Sequence, residues 1–459
     1  MIDQIIASIV VLAPIKSSRS KTKTITKERM AMSDIILKDA HILTMNNATE
    51  LPKLRTVYIH NEKITKIVAK YDGKAHKNTQ VIDCRGQLLM PSFKNGHSHV
   101  AMHFLAEKAT QENLRDWLNY VTEKEKGLEE EDMYYLSMFG LMELARSGYT
   151  YTFDMYYHPV AFAKACVFMG FRSDVLITTY RDDPQNKKFF KEFSLIREID
   201  GLVSPKCGVH ALYTADVLQL KKLASTLILK MIPFYTHLGE TNWENEDSTQ
   251  KHGGRPLPIL FKHGCFAYGG AIFHGNHLDA KDIEIMKRKS ISLVTCLQSN
   301  IQLKTGLPNF KALLDAKINI CIGTDGNASN KYMDAFHEMR LVREKFNSED
   351  IEIPNEGFYI LKMASTNVMA ALKKRNLKKI ASSQFADLIL LDASKYTEEE
   401  LTDPNFFDLL ITRGDKKDVL MTMSNGKIIY LNGSFPTIQS HVALVREKTK
   451  EISERIIQN

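Results

Sequence analysis

The stretch Pro91-Ser-Phe-Lys-Asn-Gly-His-Ser-His-Val100 sets two imidazoles two residues apart. On an extended strand that spacing turns both rings to one side, so His97 and His99 can chelate a divalent metal ion. Alone, such a pair is weak evidence, and its weight comes from companions. His237 ends the run Phe-Tyr-Thr-His and is followed three residues later by Glu240, an imidazole and a carboxylate suited to metal binding and proton transfer. Asp325 follows Ile-Asn-Ile-Cys-Ile-Gly-Thr, so a carboxylate closes an apolar strand, where burial without a partner is costly. A cation is its natural partner, and capping of the next helix is the competing role. His210 and the pair His274 and His277 also stand after apolar runs. Together these residue types can perform metal-assisted hydrolysis, in which an ion with one open position activates water near neutral pH.

Such residues need a scaffold that gathers distant strand ends. Between about 91 and 381 short apolar strands alternate with amphipathic helical stretches, and the candidate strands are 88–95, 149–155, 174–180, 203–209, 232–236, 267–273, 291–296 and 318–323. The stretches starting at Thr214 and Asp279 each open on a cap candidate and gather lysine toward their far ends, as helices do. Eight such units predict an α/β fold with a (β/α)8 TIM-like barrel, whose strand ends converge on the one face where active sites sit. Short β-type runs broken by Asn-Asn, Asn-Glu and Asp-Gly turns fill the region from 34 to 90 and return near 387–430. They predict a small β-sandwich domain built from both chain ends. The expected division is an extension at 1–32, the sandwich over 33–90 and 382–436, the barrel over 91–381, and a C-terminal helix over 437–459.

Composition excludes several classes. With 459 residues, 44% hydrophobic and 25% charged, the chain is globular and long enough for a large barrel beside a smaller domain. The net charge of +7, from 61 basic and 54 acidic residues, draws on a basic stretch at 16–29 that has no interleaved aromatic residues, so a solvated tail is expected there rather than a nucleic-acid site. Six cysteines (Cys84, Cys166, Cys207, Cys265, Cys296 and Cys321) form no Cys-x-x-Cys pair, which predicts reduced thiols and a cytoplasmic setting. The apolar run at 5–15 is too short to span a bilayer, and Asp3 stands where a signal peptide carries positive charge. Met30 and Met32 precede a fold-like start, so the first 31 residues read as an appended segment or a misassigned start.

Five stretches, in order, resemble motifs of the amidohydrolase superfamily: Pro-Ser-Phe-Lys-Asn-Gly-His-Ser-His-Val-Ala-Met, Val-His-Ala-Leu-Tyr-Thr, His-Leu-Gly-Glu-Thr, Phe-His-Gly-Asn-His-Leu and Gly-Thr-Asp-Gly-Asn-Ala-Ser-Asn. The resemblance runs from about residue 33 to 455. Within the superfamily the chain is similar to the S-adenosylhomocysteine and 5′-methylthioadenosine deaminases and to chlorohydrolase-like aminohydrolases. The resemblance implies metal ligands at His97, His99, His237 and Asp325, holding one Zn2+ per chain with Fe2+ as the alternative ion. It implies a proton-shuttling acid at Glu240, a hydroxide-orienting base at His274 with Asp325 sharing that task, and a substrate contact at His210. No lysine stands at the His210 strand end to bridge a second ion. The family's ribose-contacting glutamate falls on Lys126 in an ungapped comparison, and a shift of one residue makes Glu125 the candidate. Arg181 is the nearest arginine for a substrate tail. Met102 and Trp117 are candidates for an apolar wall around a ring, with core packing as their competing role. Where the family carries Ser-His-Asn-Pro, this chain reads Thr295-Cys-Leu-Gln-Ser-Asn and keeps Ser299 and Asn300. The implied activity is removal of ammonia from an amino-substituted heterocycle of adenosine type. The alternatives are another C–N or C–Cl bond on a guanine-, pterin- or triazine-like ring, or a barrel without catalysis. The expected partner is a small heterocyclic substrate, with neither nucleic acid nor membrane, and a homo-oligomer fits this reading as well as a monomer does.

Overall fold

The computed structural model describes residues 34–458 except 77, 107, 112, 180–184, 375, 376 and 378, so the expected extension at 1–32 and Arg181 lie outside the described residues. Five strands come first among the described residues: β1 (Asp34–Ile42), β2 (Lys53–His60), β3 (Lys63–Val68), β4 (Thr79–Asp83) and β5 (Gln87–Pro91). Nine follow: β6 (Phe93–His99), β7 (Tyr149–Asp154), β8 (Arg172–Thr178), β9 (Val203–Gly208), β10 (Phe234–Leu238), β11 (Gly270–His274), β12 (Ile291–Thr295), β13 (Ile320–Ile322) and β14 (Asp325–Gly326). The last three are β15 (Leu388–Asp392), β16 (Val419–Ser424) and β17 (Lys427–Leu431).

Both β-rich chain ends meet in one hydrogen-bonded sheet, ordered β17-β16-β15-β5-β1-β2-β3 with β4 alongside β1. The junction is the antiparallel pairing of β5 with β15, from Gln87↔Asp392 to Pro91↔Leu388. Leu37, Val57, Leu89, Leu390, Met421 and Met423 from five of these strands share one buried apolar cluster, which holds the sheet together as a unit.

The middle nine strands are parallel neighbours in the order β13-β12-β11-β10-β9-β8-β7-β6-β14. Because β13 and β14 are two pieces of one strand interrupted at Gly323 and Thr324, the nine segments close a ring of eight, the predicted barrel. Closure needs close backbone approach. A Cβ on Gly323 would stand 2.8 Å from the His97 amide nitrogen, and one on Gly96 would stand 2.9 Å from the Ile322 carbonyl oxygen. The interior is packed with Phe153, Tyr235, Phe273 and Val294, all buried in one cluster.

The eight expected strands are present with shifted ends, and the first is corrected most. The run at 88–95 is divided between β5 and β6, parted at Ser92. The Ser92 amide donates to the Asp387 carbonyl at 3.1 Å, while the next amide, Phe93, donates to the Gly148 carbonyl at 3.1 Å. The chain thus changes from one sheet to the other within a single residue. Helix starts also shift. The helix expected from Thr214 begins at Val217, because Asp216 accepts from the amides of Leu218 and Gln219 at 2.8 and 2.9 Å, whereas Thr214 bonds back to Ala211. Asp279 caps Ala280–Lys289 as expected, with Lys287, Arg288 and Lys289 in the last turn. The C-terminal helix Val442–Gln458 sends Ile452 and Ile456 into the cluster that holds Trp117 and Leu136, and Arg455 pairs with Asp132. No helix among the described residues is long and apolar enough to cross a membrane.

Candidate active site

Strand β6 delivers His97 and His99, β10 delivers His237, β11 ends on His274, and β14 begins with Asp325. All five are buried and stand at the carboxyl ends of parallel strands of one ring. His97 Nε2 lies 3.0 Å from His237 Nε2 and 3.6 Å from Asp325 Oδ1, and His99 Nε2 lies 3.2 Å from the same oxygen. For ligands about 2.0–2.1 Å from a tetrahedral ion the edges of the tetrahedron are about 3.3 Å, so this donor set fits a divalent metal. Ligand-capable atoms of His97, His237 and His274 form a second, overlapping group.

The hydrogen bonds behind the rings explain their aim. His99 Nδ1 donates to the Met155 carbonyl, His237 Nδ1 donates to the His210 carbonyl at 2.8 Å, and His274 Nδ1 donates to Asn300 Oδ1 at 2.8 Å. An imidazole that gives its Nδ1 proton to an oxygen keeps an Nε2 lone pair for a cation or a proton, which is how ligating histidines are held. His97 is fixed by packing instead: its ring stacks on Phe273 at 3.9 Å between centroids. Asp325 is split in function. Its Oδ2 accepts from the hydroxyls of Ser299 at 2.6 Å and Ser329 at 3.1 Å, leaving Oδ1 to face His97 and His99. Asp325 and His274 both adopt left-handed backbone, with φ of 60° and 70°, a conformation that the surrounding bonds must hold.

Burial lowers His97 to about 3, His210 to about 4 and His237 well below the usual range, so these rings are neutral, as metal ligation requires. Burial also works against a charge on His99, but the hydrogen bond and charge of Asp325 outweigh it and raise His99 to about 9. Asp325 in turn is held well below the carboxylate range: burial opposes its charge, and the bonds from His97 and His99 overcome that. Asp325 thus favours a positive charge beside it, as a proton on His99 or a cation. Glu240 follows β10, with Oε1 3.9 Å from His274 Nε2, and burial raises its affinity for a proton. Glu244 lies behind it. Its Oε2 accepts from the Glu240 amide at 3.0 Å, and burial pushes its carboxyl up to about 8.

The sequence-derived substrate contacts are placed unevenly. The His210 ring sits 4.7 Å from the His237 ring, and its Nδ1 is buried without a partner among the described residues. Glu125 is turned inward on the helix Leu114–Glu125 and accepts from the Tyr156 hydroxyl, and the Tyr156 ring lies 6.0 Å from His99. Burial raises the Glu125 carboxyl to about 7. Lys126, the next residue, is exposed and pairs with Glu123 at 2.5 Å. Met102 and Trp117 are buried in an apolar cluster with Leu105, Leu114 and Val121. Met102 also lies against Gly326 beside Asp325, since a Cβ there would meet its sulfur at 2.4 Å, and the Trp117 indole nitrogen has no partner among the described residues. His277, which the sequence pairs with His274, meets the Thr305 carbonyl at 2.6 Å through Nε2 and stays out of the ligand groups. Sequence reasoning missed Ser329, Asn276, Glu244 and the Met155 carbonyl.

The amidohydrolase family profile matches residues 88–429. A 5-methylthioadenosine/S-adenosylhomocysteine deaminase of Moorella thermoacetica is 31% identical over 373 residues, spanning 78% of this chain and 86% of that protein. The enzyme of the same name from Pyrococcus furiosus is 30% identical over 375 residues, spanning 79% and 88%. Among solved structures, an adenosine deaminase from Xanthomonas campestris with bound zinc matches with a TM-score of 0.81 at 23% identity, covering 93% of this chain and 99% of that one. A guanine deaminase from C. acetobutylicum with guanine in its active site matches with a TM-score of 0.72 at 16% identity, covering 87% and 100%.

Proposed function

The chain belongs to the amidohydrolase family, and on that premise we propose that it is a metal-dependent deaminase of adenosine-type nucleosides with one Zn2+ held by His97, His99, His237 and Asp325. It is a hydrolase of carbon–nitrogen bonds other than peptide bonds. The observation that carries the reading is the convergence of three imidazole Nε2 atoms and one carboxylate oxygen at the strand ends of a closed barrel. Fe2+ is the alternative ion for the same donors.

When bound, the ion supplies the Lewis acidity that makes water a competent nucleophile near neutral pH. The chain's own groups do the rest. Asp325 and His274 accept hydrogen bonds from the attacking water and hold it against the ring carbon that bears the amino group. Glu240 carries a proton to the neighbouring ring nitrogen and then assists the departing amine. A C–O bond forms and the exocyclic C–N bond breaks; of the two protons of water, one stays on the ring nitrogen and the other leaves with the amine as ammonia. His210 contacts the ring, Glu125 the ribose hydroxyls, Met102 and Trp117 the apolar flank of the substrate, and Arg181 its tail. The six cysteines are free and buried, which supports a reducing, cytoplasmic setting.

A panel assay for ammonia release tests this reading. Metal-loaded protein should turn over adenosine, 5′-methylthioadenosine or S-adenosylhomocysteine in preference to guanine, pterins and triazines. Release only from the latter group replaces the substrate class. Carefully prepared protein holding well under about one zinc or iron per chain removes the enzyme reading altogether.

A further inference from the structure

We propose that Asn276 and Asn300 form an amide relay that fixes which nitrogen of His274 carries the proton, making both asparagines positioning residues for the reaction. The proposal rests on His274 acting in the chemistry as described above. His274 Nδ1 meets Asn300 Oδ1 at 2.8 Å, Asn300 Nδ2 meets Asn276 Oδ1 at 2.8 Å, and Asn276 Nδ2 meets the backbone carbonyl of Glu240 at 3.1 Å. The three side chains are buried, so water does not compete for these bonds.

The direction of the chain follows from its last member. A backbone carbonyl only accepts, so Asn276 must turn its amino group toward Glu240, which leaves its oxygen facing Asn300. Asn300 must then present its own amino group to Asn276, which leaves its oxygen facing His274. An oxygen at Nδ1 requires a proton there, and the lone pair is left on Nε2, the atom that faces Glu240. Turning over either amide would place two acceptors or two donors in contact at one link. Thr305 braces the relay at both members: Asn276 Nδ2 donates to its hydroxyl at 3.2 Å, and that hydroxyl reaches Asn300 Oδ1 at 3.4 Å. The carbonyl that anchors the relay belongs to Glu240 itself. One chain of bonds therefore sets both the tautomer of the imidazole and the backbone position of the acid beside it.

The test uses zinc-loaded, [15N]histidine-labelled protein, with the His274 resonances identified by their loss in His274→Asn. Nitrogen shifts and couplings report the tautomer directly. Asn276→Leu cuts the outer link and lets the Asn300 amide turn over, whereas Asn276→Asp still accepts from Asn300 and keeps the chain's direction. The expected result is one Nδ1-protonated tautomer in the parent protein and in Asn276→Asp, and a tautomer mixture in Asn276→Leu. Asn276→Leu should also lose about tenfold or more in kcat, with KM within about threefold and zinc content unchanged. The Asp variant is read by its tautomer alone, since its buried charge also acts on Glu240. A single Nδ1-protonated tautomer in all three proteins overturns the relay. A mixture in Asn276→Leu with unchanged kcat leaves the relay standing and removes His274 from the proposed reaction. Should Asn276→Leu not fold, Asn300→Leu removes the acceptor at Nδ1 itself, and a retained single tautomer there overturns the proposal equally.

Discussion

His97 Nε2 and His237 Nε2 face each other at 3.0 Å although 140 positions separate them in the chain. Two lone pairs at that distance repel unless a proton or a cation lies between them. A cation should therefore stabilise the fold by mass action, about 2.7 kcal/mol at a hundredfold excess over its dissociation constant. Chelator treatment is expected to lower the thermal midpoint, and added zinc to restore it. Calorimetry showing one unchanged midpoint throughout would count against a metal at these residues.

Glu240→Gln keeps the volume of the side chain and removes its proton chemistry. Because no Glu240 atom belongs to the ligand groups, bound metal by elemental analysis should be unchanged. Ammonia release should fall by about 10²- to 10⁴-fold. Retained turnover would take Glu240 out of its proton-transfer role.

Glu125 and Lys126 offer an internal control. Glu125→Ala should raise KM for nucleosides by about tenfold while sparing substrates that lack the sugar, since a lost polar contact of a buried carboxylate is worth one to two kcal/mol, roughly. Lys126→Ala, on the exposed face, should stay within about twofold, in keeping with the small worth of surface ion pairs. Equal effects of the two changes in steady-state assays would mean the inward face is misassigned.

Lys94 sits fully buried three residues before His97, donating to Ser92 Oγ at 2.6 Å and Thr150 Oγ1 at 2.7 Å. Burial lowers it from 10.5 to about 8. Between those values the unfolded chain holds the proton more tightly than the fold, so this group's contribution to stability rises with pH through that window and is least favourable below about 8. At neutral pH the buried charge costs the fold about 3 kcal/mol, from about 1.4 kcal/mol for each pH unit of lowering. Lys94→Met should raise the urea midpoint at pH 7 and lose that advantage above about pH 10. Ser92 and Thr150 keep each other as partners at 2.6 Å, so the change orphans neither hydroxyl. A midpoint at pH 7 no higher than that of the parent chain would refute the cost assigned to Lys94.

Of the four metal-ligand candidates, His237 and Asp325 stand out in the sequence because each closes an apolar run, where a buried polar group calls for a partner, and His97 and His99 because of their two-residue spacing. The groups that aim them are not. Asn300 lies 26 positions from the His274 ring it orients, and asparagine and serine after a strand read as ordinary turn residues. Lys94 is hidden for a different reason: a lysine in a strand reads as solvent-facing, and only its own burial, opposite the face that carries Phe93 and Asn95, marks the strand as covered on two faces. The change of sheet at Ser92 is hidden because its immediate neighbours, Pro91 and Phe93, are both apolar and buried. Glu125 and Lys126 differ by a rotation of about 100° on a helix, so which of them turns inward is not legible from spacing.

The pairing of β14 with β6, Asp325↔Ser98 and Gly326↔His99, puts donors from the first and last strands of the ring side by side. A chain emerging from its N-terminal end displays His97 and His99 long before Asp325 has been made. The complete donor set exists only once the hoop has shut, and contacts so distant in sequence form late. An ion held by all four proposed ligands would therefore bind tightly only to a closed barrel and would clasp its seam.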